Sequence, residues 1–463
     1  MQIKPFGIKE LPPSPPLKKL IGPSFILLSM GLGSGEIILW PYLTSNWGLG
    51  IIWAVLVGVT FQFFMNMEIE RYALVRGESI FVGFARKSKV LPYWFFLSTF
   101  VPWIWPGLIA SSATFISTVF NIEHYEYLAI FSLIIIGLIL SLGPVLYKTV
   151  ENTQKILISI GIPIIIILAL IVVKNADWLE LLNGFVGRGQ GYSFLPQGIP
   201  LATFLAALTY AGAGGNLNLA QSCYIREKGY GMGVYTGRIA GLLSGNKEEV
   251  SLCGNAFEIT RDNMNKFKRW WRNVNLEHFS LFWFTGIITI LFLAVLSYST
   301  TYNLQNKPEG IKFVISEGAQ IAKTTGPFVG TLFVLILGIM LFATQLSVLD
   351  ATSRINSENI ALASRGGFSE KHIPIIYYAV LWLQIFAGIL IFVFGAHEPL
   401  QLVIISAVLN AFAMFIHAGL TLWINLTSLE KPLRPGFVRI CIMTLAFLFY
   451  GGFSFYVLID KFF

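Results

Sequence analysis

The sequence predicts an all-α polytopic membrane protein with about eleven transmembrane helices, built as two inverted five-helix repeats and one further helix. Three observations predict this class. Of the 463 residues, 55% are hydrophobic and only 12% are charged, whereas a soluble domain carries about 25% charged residues. Matching glycine-rich interruptions occur within two apolar runs, at positions 31–36 and 211–216. Lys and Arg residues are concentrated in alternate loops.

The first segment, residues 1–19, is a proline-rich tail without the cleavage pattern of a signal peptide, and we expect it to stay in the cytoplasm. Apolar runs long enough to cross a bilayer follow it. They are centred near residues 32, 60, 105, 138, 163, 212, 288, 338, 383, 411 and 448.

The charges between these runs predict the orientation. With the N-terminus inside, cytoplasmic segments hold 26 of the 32 Lys and Arg residues. The outside segments hold six, which are Lys174, Arg188, Lys307, Lys312, Lys323 and Lys461. This bias predicts a multi-pass plasma membrane protein with a cytoplasmic N-terminus and an outside C-terminus. The net charge of +8 is therefore explained by topology and contact with anionic lipid, and nucleic acid is not an expected partner.

The two interruptions lie about 180 residues apart and each opens a group of five spans. Because five is odd, the second group must be inverted relative to the first, as in many secondary carriers. We expect one transmembrane domain over 20–463, with repeat one at about 20–174 and repeat two at about 200–425. An extra helix is expected at about 435–459 and a cytoplasmic loop at 226–275.

Glu36 is the acidic residue that this layout places near the middle of the membrane. Ionisable groups at that depth are costly and face a pathway or a partner. If a helix begins again at about Gly35, the positive end of that helix would favour the carboxylate. Glu36 is therefore predicted either to serve substrate binding or coupling, or to cap the half-helix.

Other polar groups line the same apolar runs. Asn216 closes the second interruption and is either a ligand for a cation or solute, or an N-cap. Gln345 in span 8 and Asn410 in span 10 are either pathway residues or interhelical hydrogen-bonding groups. The predicted substrate-binding set is Gly33, Ser34, Glu36, Ala213, Gly214, Asn216, Gln345 and Asn410.

Two charged groups fall at the predicted inner ends of spans. Glu68, Glu70 and Arg71 end span 2, and Asp350 and Arg354 stand four residues apart in span 8. Both groups are expected to form interfacial ion pairs or an inner gate. No motif of a metalloprotease, a nucleotide-binding loop or a clustered His/Cys site occurs, so neither an enzyme nor a bound cofactor is expected.

With these features the chain resembles a divergent branch of the Nramp (natural resistance-associated macrophage protein) family of proton-coupled divalent-metal transporters. Gly22-Pro23 at the start of span 1, Gln62 and Gly77 match the family. The resemblance implies the LeuT-type fold of 5+5 inverted repeats with interrupted helices 1 and 6. It also implies metal transport by symport.

The family's metal-site motifs are altered here. Its Asp-Pro-Gly-Asn motif would fall on residues 33–36, so that Gly33 replaces the metal-binding aspartate and a carboxylate appears at Glu36. Its Met-Pro-His-Asn motif would fall on residues 213–216, where only Asn216 remains. Glu36, Asn216 and backbone carbonyls then make an all-oxygen metal site, which suits Mg²⁺, Mn²⁺ or Ca²⁺ in a partly hydrated form.

Three functions follow from the sequence. The first is a secondary transporter that moves a divalent cation by alternating access, with Glu36 and Asn216 at its site. The second is a carrier of a small organic solute, because the glycine-rich interruptions leave more room than an ion needs. The third is a non-transporting membrane sensor on the same fold, with loop 226–275 as its output.

Overall fold

The computed structural model describes residues 3–20, 22–142, 146–236, 252–307, 309–364, 372–395 and 398–462. Within these residues, ten helices are long and apolar enough to cross a membrane. One more crossing, span 6, consists of two helices of 9 and 12 residues. Each of these is too short to span a bilayer alone. The predicted all-α architecture of about eleven spans is confirmed.

The spans are numbered in chain order. Their helices are Pro23–Gly31, Leu32–Leu39 and Trp40–Trp47 (span 1), Trp53–Arg76 (2), Leu91–Trp103 and Gly107–Phe120 (3), Tyr125–Leu142 (4), Leu146–Val172 (5), Leu201–Thr209 and Leu217–Lys228 (6), Arg261–His278, Phe279–Phe284 and Thr285–Thr301 (7), Pro327–Ala363 (8), Ile373–Val393 (9), Pro399–Ser428 (10) and Phe437–Phe462 (11). Shorter α-helices cover Ile80–Lys87, Asn175–Gly184 and Lys312–Thr325. Single 3₁₀ turns cover Leu17–Lys19, Leu49–Ile51, Gly231–Tyr235 and Lys431–Leu433.

Spans 1 and 8 form the centre of the helix bundle. Span 8 packs against spans 1, 3, 5, 6 and 9. Span 1 has 94% of its most apolar window buried inside the protein, whereas the same figure for spans 4, 5 and 11 is 39% or less. A helix that is apolar and buried on all sides lies within the protein core, away from lipid. The polar residues of span 1 are therefore surrounded by protein.

The N-terminal tail folds against the side of the protein where span 1 begins. Strand Gly7–Ile8 pairs in parallel with strand Asn255–Ala256. The Phe6 ring lies under two guanidinium groups, those of Arg76 and Arg86, at 4.8 and 4.1 Å. Further along the tail, Trp270 donates a hydrogen bond of 2.8 Å to the carbonyl of Pro12. A second strand pair, Arg188–Gly189 with Tyr192–Ser193, is antiparallel and lies elsewhere.

A buried ionic network joins spans 6, 8 and 9 on the same side. Arg354 is 1% exposed, lies 2.9 Å from Asp350 and also pairs with Glu227. Tyr377 of span 9 donates a hydrogen bond of 2.8 Å to Asp350. The spacing of Asp350 and Arg354 by one helical turn predicted this pair, which is more deeply buried than an interfacial position implies.

The expected loop 226–275 is partly helical. Span 6 continues to Lys228, and the helix that leads into span 7 already begins at Arg261. Residues 237–251 of the loop lie outside the described residues. The Trp270 ring packs against Tyr230 at 5.6 Å, within the protein. The boundaries of the two repeats, and any signalling role of this loop, stay predictions.

The orientation of the chain also stays a prediction and can be tested by labelling. Asp262 has a side chain that is 73% exposed on the side that carries the N-terminus. In a Cys441→Ser background, Asp262→Cys should react with a membrane-impermeant maleimide only when the cytoplasmic face is accessible. Glu309→Cys, at an exposed position on the opposite side, should react from outside intact cells. The reverse pattern would show that the N-terminus faces outward.

Candidate functional site

Span 1 stays helical through its glycine-rich segment, where the turns of the helix are wider than those of an α-helix. Residues Leu32–Leu39 are π-helical, and the Trp40 N–H bonds to the Gly35 carbonyl five residues back. The expected non-helical interruption is therefore wrong for span 1, because the backbone groups find partners within a wider helix. It follows that no helix begins near Gly35, and Glu36 neither caps a terminus nor benefits from a helix dipole. Single π segments within α-helices are frequent at functional sites.

Glycine is required here because span 1 touches other backbone closely. A Cβ at Gly35 would lie 1.6 Å from the Tyr210 carbonyl oxygen, and one at Gly31 would lie 2.8 Å from the carbonyl carbon of Gly212. A Cβ at Gly33 would overlap the Thr344 side chain of span 8 at 2.6 Å. These contacts place the π segment directly against the interruption of span 6.

Glu36 is buried inside this segment, with 1% of its surface exposed. Its Oε2 atom has no hydrogen-bond partner among the described residues, and neither has the hydroxyl of Ser34. No described Lys, Arg or His forms an ion pair with the carboxylate. A methyl group added at Gly286 in span 7 would lie 3.6 Å from Oε1, which is ordinary contact. There is thus space of about one methyl group beside Glu36.

Span 6 is interrupted as the sequence predicts. Its first helix ends at Thr209 and its second begins at Leu217. Gly214 and Gly215 adopt positive φ angles of 73° and 56°, which residues with a side chain rarely adopt. Gln62 of span 2 bridges the interruption, donating to the Thr209 carbonyl at 2.9 Å and accepting from the Gly214 N–H at 3.2 Å. One amide side chain therefore replaces helical hydrogen bonds that the interruption removes.

Asn216 faces span 3. Its Nδ2 donates to the hydroxyls of Ser98 at 2.8 Å and Thr99 at 2.9 Å, and its side chain makes no capping hydrogen bond to its own helix. Asn216 occupies the N-cap position of the second helix, as one alternative predicted, but its side chain does not cap that helix. The Oδ1 atom of Asn216 remains buried without a partner among the described residues.

Tyr210 organises the span 10 side of the site. Its hydroxyl lies 2.7 Å from Ser406 Oγ and accepts from Asn410 at 2.9 Å, while Trp103 stacks on its ring at 5.4 Å. Asn410 Oδ1 lies where a Cβ of Gly215 would be, and it has no partner among the described residues. A small cavity of about 10 Å³ adjoins Tyr210, Trp103 and Ser406. That volume holds about one water molecule.

The predicted site residues thus form two groups. Gly214, Asn216 and Asn410 gather around the interruption of span 6, with buried Ala213 beside them in the chain. Gly33, Ser34 and Glu36 lie on the π segment, with Gly33 against Thr344 and buried Gln345 adjacent to it in span 8. Glu36 faces span 7 and Asn216 faces span 3, and no described contact joins their side chains. Their joint role as metal ligands stays a prediction.

Sequence reasoning missed several residues of the site. Tyr210, Ser98, Thr99 and Gly286 give no signal in sequence because each is ordinary in an apolar span. Glu70 was grouped with Glu68 and Arg71, but only those two pair, at 2.7 Å. Glu70 instead faces Gln221 of span 6 and is buried, and neither of its carboxylate oxygens makes a well-formed hydrogen bond among the described residues.

A further buried acid lies outside the spans. Glu317 belongs to the short helix Lys312–Thr325 and is 2% exposed. Burial raises its pKa well above the ordinary value, and a hydrogen bond with Ser297 opposes that rise only in part. It lies on the opposite side of the protein from the N-terminal tail, in the segment between spans 7 and 8.

Solved structures resemble this chain over most of its length. The manganese transporter of Eremococcus coleocola, in complex with an aromatic bis-isothiourea substituted compound, aligns with 97% of this chain and 88% of its own at a TM-score of 0.68 and 11% identity. A mutant of that transporter aligns at 0.67 and 10% identity over the same shares. Mhp1, a nucleobase-cation-symport-1 family transporter with bromovinylhydantoin bound, aligns with 94% of this chain and 92% of its own at 0.53 and 12% identity.

No known family and no curated protein sequence matches the chain. At 10–12% identity the structural likeness concerns the fold. The resemblance to the Nramp family therefore stays a prediction. The chain has the LeuT-type fold, with a π-helical segment in span 1 and an interrupted span 6 at its centre.

Proposed function

We propose that this protein is a secondary transporter that moves a partly hydrated divalent cation, Mg²⁺, Mn²⁺ or Ca²⁺, by alternating access. The observation that carries the proposal is the Glu36 carboxylate, which is buried without an ion-pair partner among the described residues. An isolated ionised carboxylate in a protein interior is very costly unless a proton or a cation neutralises it. A bound cation removes that cost, and the fold shared with transporters supplies a way to move it.

The surroundings of Glu36 favour a cation that keeps much of its water. Within the described ranges, no three His, Cys, Asp or Glu side chains gather where they could hold a metal ion. One carboxylate and the Ser34 hydroxyl cannot replace a full hydration shell, whereas Mg²⁺ in particular retains several waters when bound. The donors are all oxygen atoms, which favours hard cations over soft ones. Asn216 is proposed as a second ligand, reached when span 6 moves relative to span 1.

Uptake into proteoliposomes tests this proposal. Vesicles holding a trapped metal-sensitive dye should show saturable uptake of at least one of Mn²⁺, Mg²⁺ and Ca²⁺ with the wild-type protein. Glu36→Gln keeps the size of the side chain and removes its charge, so uptake should fall to the level of empty vesicles. The control Glu309→Gln removes an exposed carboxylate and should leave uptake unchanged. Wild-type uptake by Glu36→Gln would refute the role of Glu36.

A second candidate is a carrier of a small organic solute with a flat ring. It is favoured by the aromatic pair of Trp103 and Tyr210, since aromatic faces bind planar rings. The adjoining cavity holds about one water molecule, so it would have to widen to admit a ring. Mhp1, with a ring compound bound, shares the fold. If no metal is taken up, a thermal-shift screen with ring compounds should find a stabilising ligand whose effect is lost in Trp103→Ala. If neither occurs, this candidate fails as well.

A further inference from the structure

A stripe of polar side chains leads from the interruption of span 6 toward the side that carries the N-terminal tail. Gln62, Asn66 and Glu70 follow one another every fourth residue in span 2, and residues at this spacing share one face of a helix. Span 2 packs against the second helix of span 6, which carries Asn218 and Gln221 one turn apart. All five side chains are buried with no exposed surface.

Two contacts fix how these helices face each other. At one end, Gln62 bonds to the Gly214 N–H. At the other end, the carboxamide of Gln221 faces the carboxylate of Glu70. Since Asn66 lies midway between Gln62 and Glu70, and Asn218 lies between Gly214 and Gln221, these two asparagines occupy the interval between the contacts. Asn66, Glu70, Asn218 and Gln221 therefore form one group, which we call the inner polar cluster.

The side chains of the inner polar cluster leave unusually many buried polar atoms without good hydrogen bonds. None of the eight polar atoms of its four side chains makes a well-formed hydrogen bond among the described residues, although the Gln221 carboxamide comes close to the Glu70 carboxylate. About 90% of buried polar groups in proteins are hydrogen-bonded, and clustered exceptions call for an explanation. Four neighbouring side chains whose polar atoms all lack good hydrogen bonds indicate that a polar ligand binds between them.

The ionisable groups around the cluster indicate the charge of that ligand. No described Lys or Arg forms an ion pair with Glu70, and the nearby ionisable group that acts on it is another carboxylate, Glu277. Glu277 accepts a hydrogen bond from the Ser24 hydroxyl at the start of span 1, and Lys228 acts on it as the nearby positive charge. His278 lies next to Glu277, with its Nδ1 2.8 Å from the same Ser24 hydroxyl. When Glu70 is ionised, its negative charge therefore has no positive partner among the described residues.

We propose that the inner polar cluster is a second cation site, where the transported ion binds between the level of Glu36 and the side that carries the N-terminus. The Glu70 carboxylate and the carboxamide oxygens of Asn66, Asn218 and Gln221 would be its donors. Carboxylate and amide oxygens are the ligands of hard divalent cations. One charge and three neutral donors bind such an ion weakly enough for it to leave again, as conduction requires. This inference rests on the proposed cation transport.

Counting bound Mn²⁺ by electron paramagnetic resonance of the free ion tests the inference on the full chain in detergent. The wild-type protein should bind two Mn²⁺ per chain, while Glu70→Gln and Glu36→Gln should each bind one. Loss of the charged ligand should weaken the affected site by about tenfold or more, since loss of even an outer-shell partner costs about 10–100-fold in affinity. The double variant Glu70→Gln/Gln221→Glu returns a carboxylate to the cluster and should restore the second ion. Glu309→Gln should bind two.

The outcomes separate the two proposals. If the wild-type protein binds no Mn²⁺ and the proteoliposomes take up none of Mn²⁺, Mg²⁺ and Ca²⁺, the proposed function fails and this inference fails with it. If it binds one ion that Glu36→Gln loses and Glu70→Gln keeps at wild-type affinity, the function stands and the second site is refuted. In that case the inner polar cluster holds water only. Because the double variant is judged on gain of binding, misfolding of Glu70→Gln alone cannot imitate the expected result.

Discussion

Replacing Gly35 with alanine is expected to abolish uptake and to destabilise the protein. The new methyl carbon would lie 1.6 Å from the Tyr210 carbonyl oxygen and 2.4 Å from its carbon. No side chain can rotate away to relieve this overlap, because both atoms belong to the backbone. Overpacking in a core usually costs about 1–3 kcal/mol, and we expect a value at or above the top of that range. The thermal unfolding midpoint and the uptake rate measure the two effects.

Gly452→Ala is the matched control. Gly452 lies in span 11 with nothing within 4 Å of an added Cβ. Alanine is favoured over glycine in a helix by about 0.5–1 kcal/mol, so this variant should be as stable as the wild type or slightly more so. A Gly35→Ala protein that matches it in midpoint and uptake would contradict the close contact between spans 1 and 6.

Replacing Arg354 with methionine is expected to destabilise the protein far more than the removal of an exposed charge. The guanidinium group lies between Asp350 and Glu227 with 1% of its surface exposed. Methionine fills much of the same space but leaves two carboxylates buried without their counterion. Breaking a buried pair in this way costs about 3–5 kcal/mol. The midpoint of unfolding in detergent should fall far below that of the wild type.

An exposed pair provides the comparison. Lys266 lies 2.7 Å from Asp262, whose side chain is 73% exposed. Such surface pairs contribute about 0–1 kcal/mol, so Lys266→Met should hardly change the midpoint. Equal shifts in the two methionine variants would show that burial of the Arg354 network contributes nothing to stability.

The sequence was sufficient to predict the features that depend on a local pattern of residues. Apolar runs gave the spans, and the glycines at 214 and 215 correctly marked the interruption of span 6. The same kind of run at 31–35 gave the wrong backbone for span 1. Whether a glycine-rich segment unwinds or widens depends on what packs against it, and the partners Tyr210 and Gly212 lie about 180 residues away in the chain.

The candidate site was harder to predict for a related reason. Glu68, Glu70 and Arg71 are neighbours in sequence, but a helix turns successive residues to different faces. Arg71 therefore reaches Glu68, while Glu70 faces Gln221 of span 6. The orientation of span 2 about its own axis decides which acid is paired. Because span 2 is apolar on several sides, its sequence does not encode that orientation strongly.

The N-terminal tail has a thermodynamic consequence for the cycle of any such carrier. Its strand pair, the two guanidinium contacts of Phe6 and the Trp270 hydrogen bond would all have to break before that face could separate. At about 0.5–1 kcal/mol for each contact, the tail adds a few kcal/mol to the free energy of the opened state. Each 1.4 kcal/mol lowers an open population tenfold. If the protein works by alternating access as proposed, the first dozen residues, which cross no membrane, would therefore help to set how rarely it opens on that face.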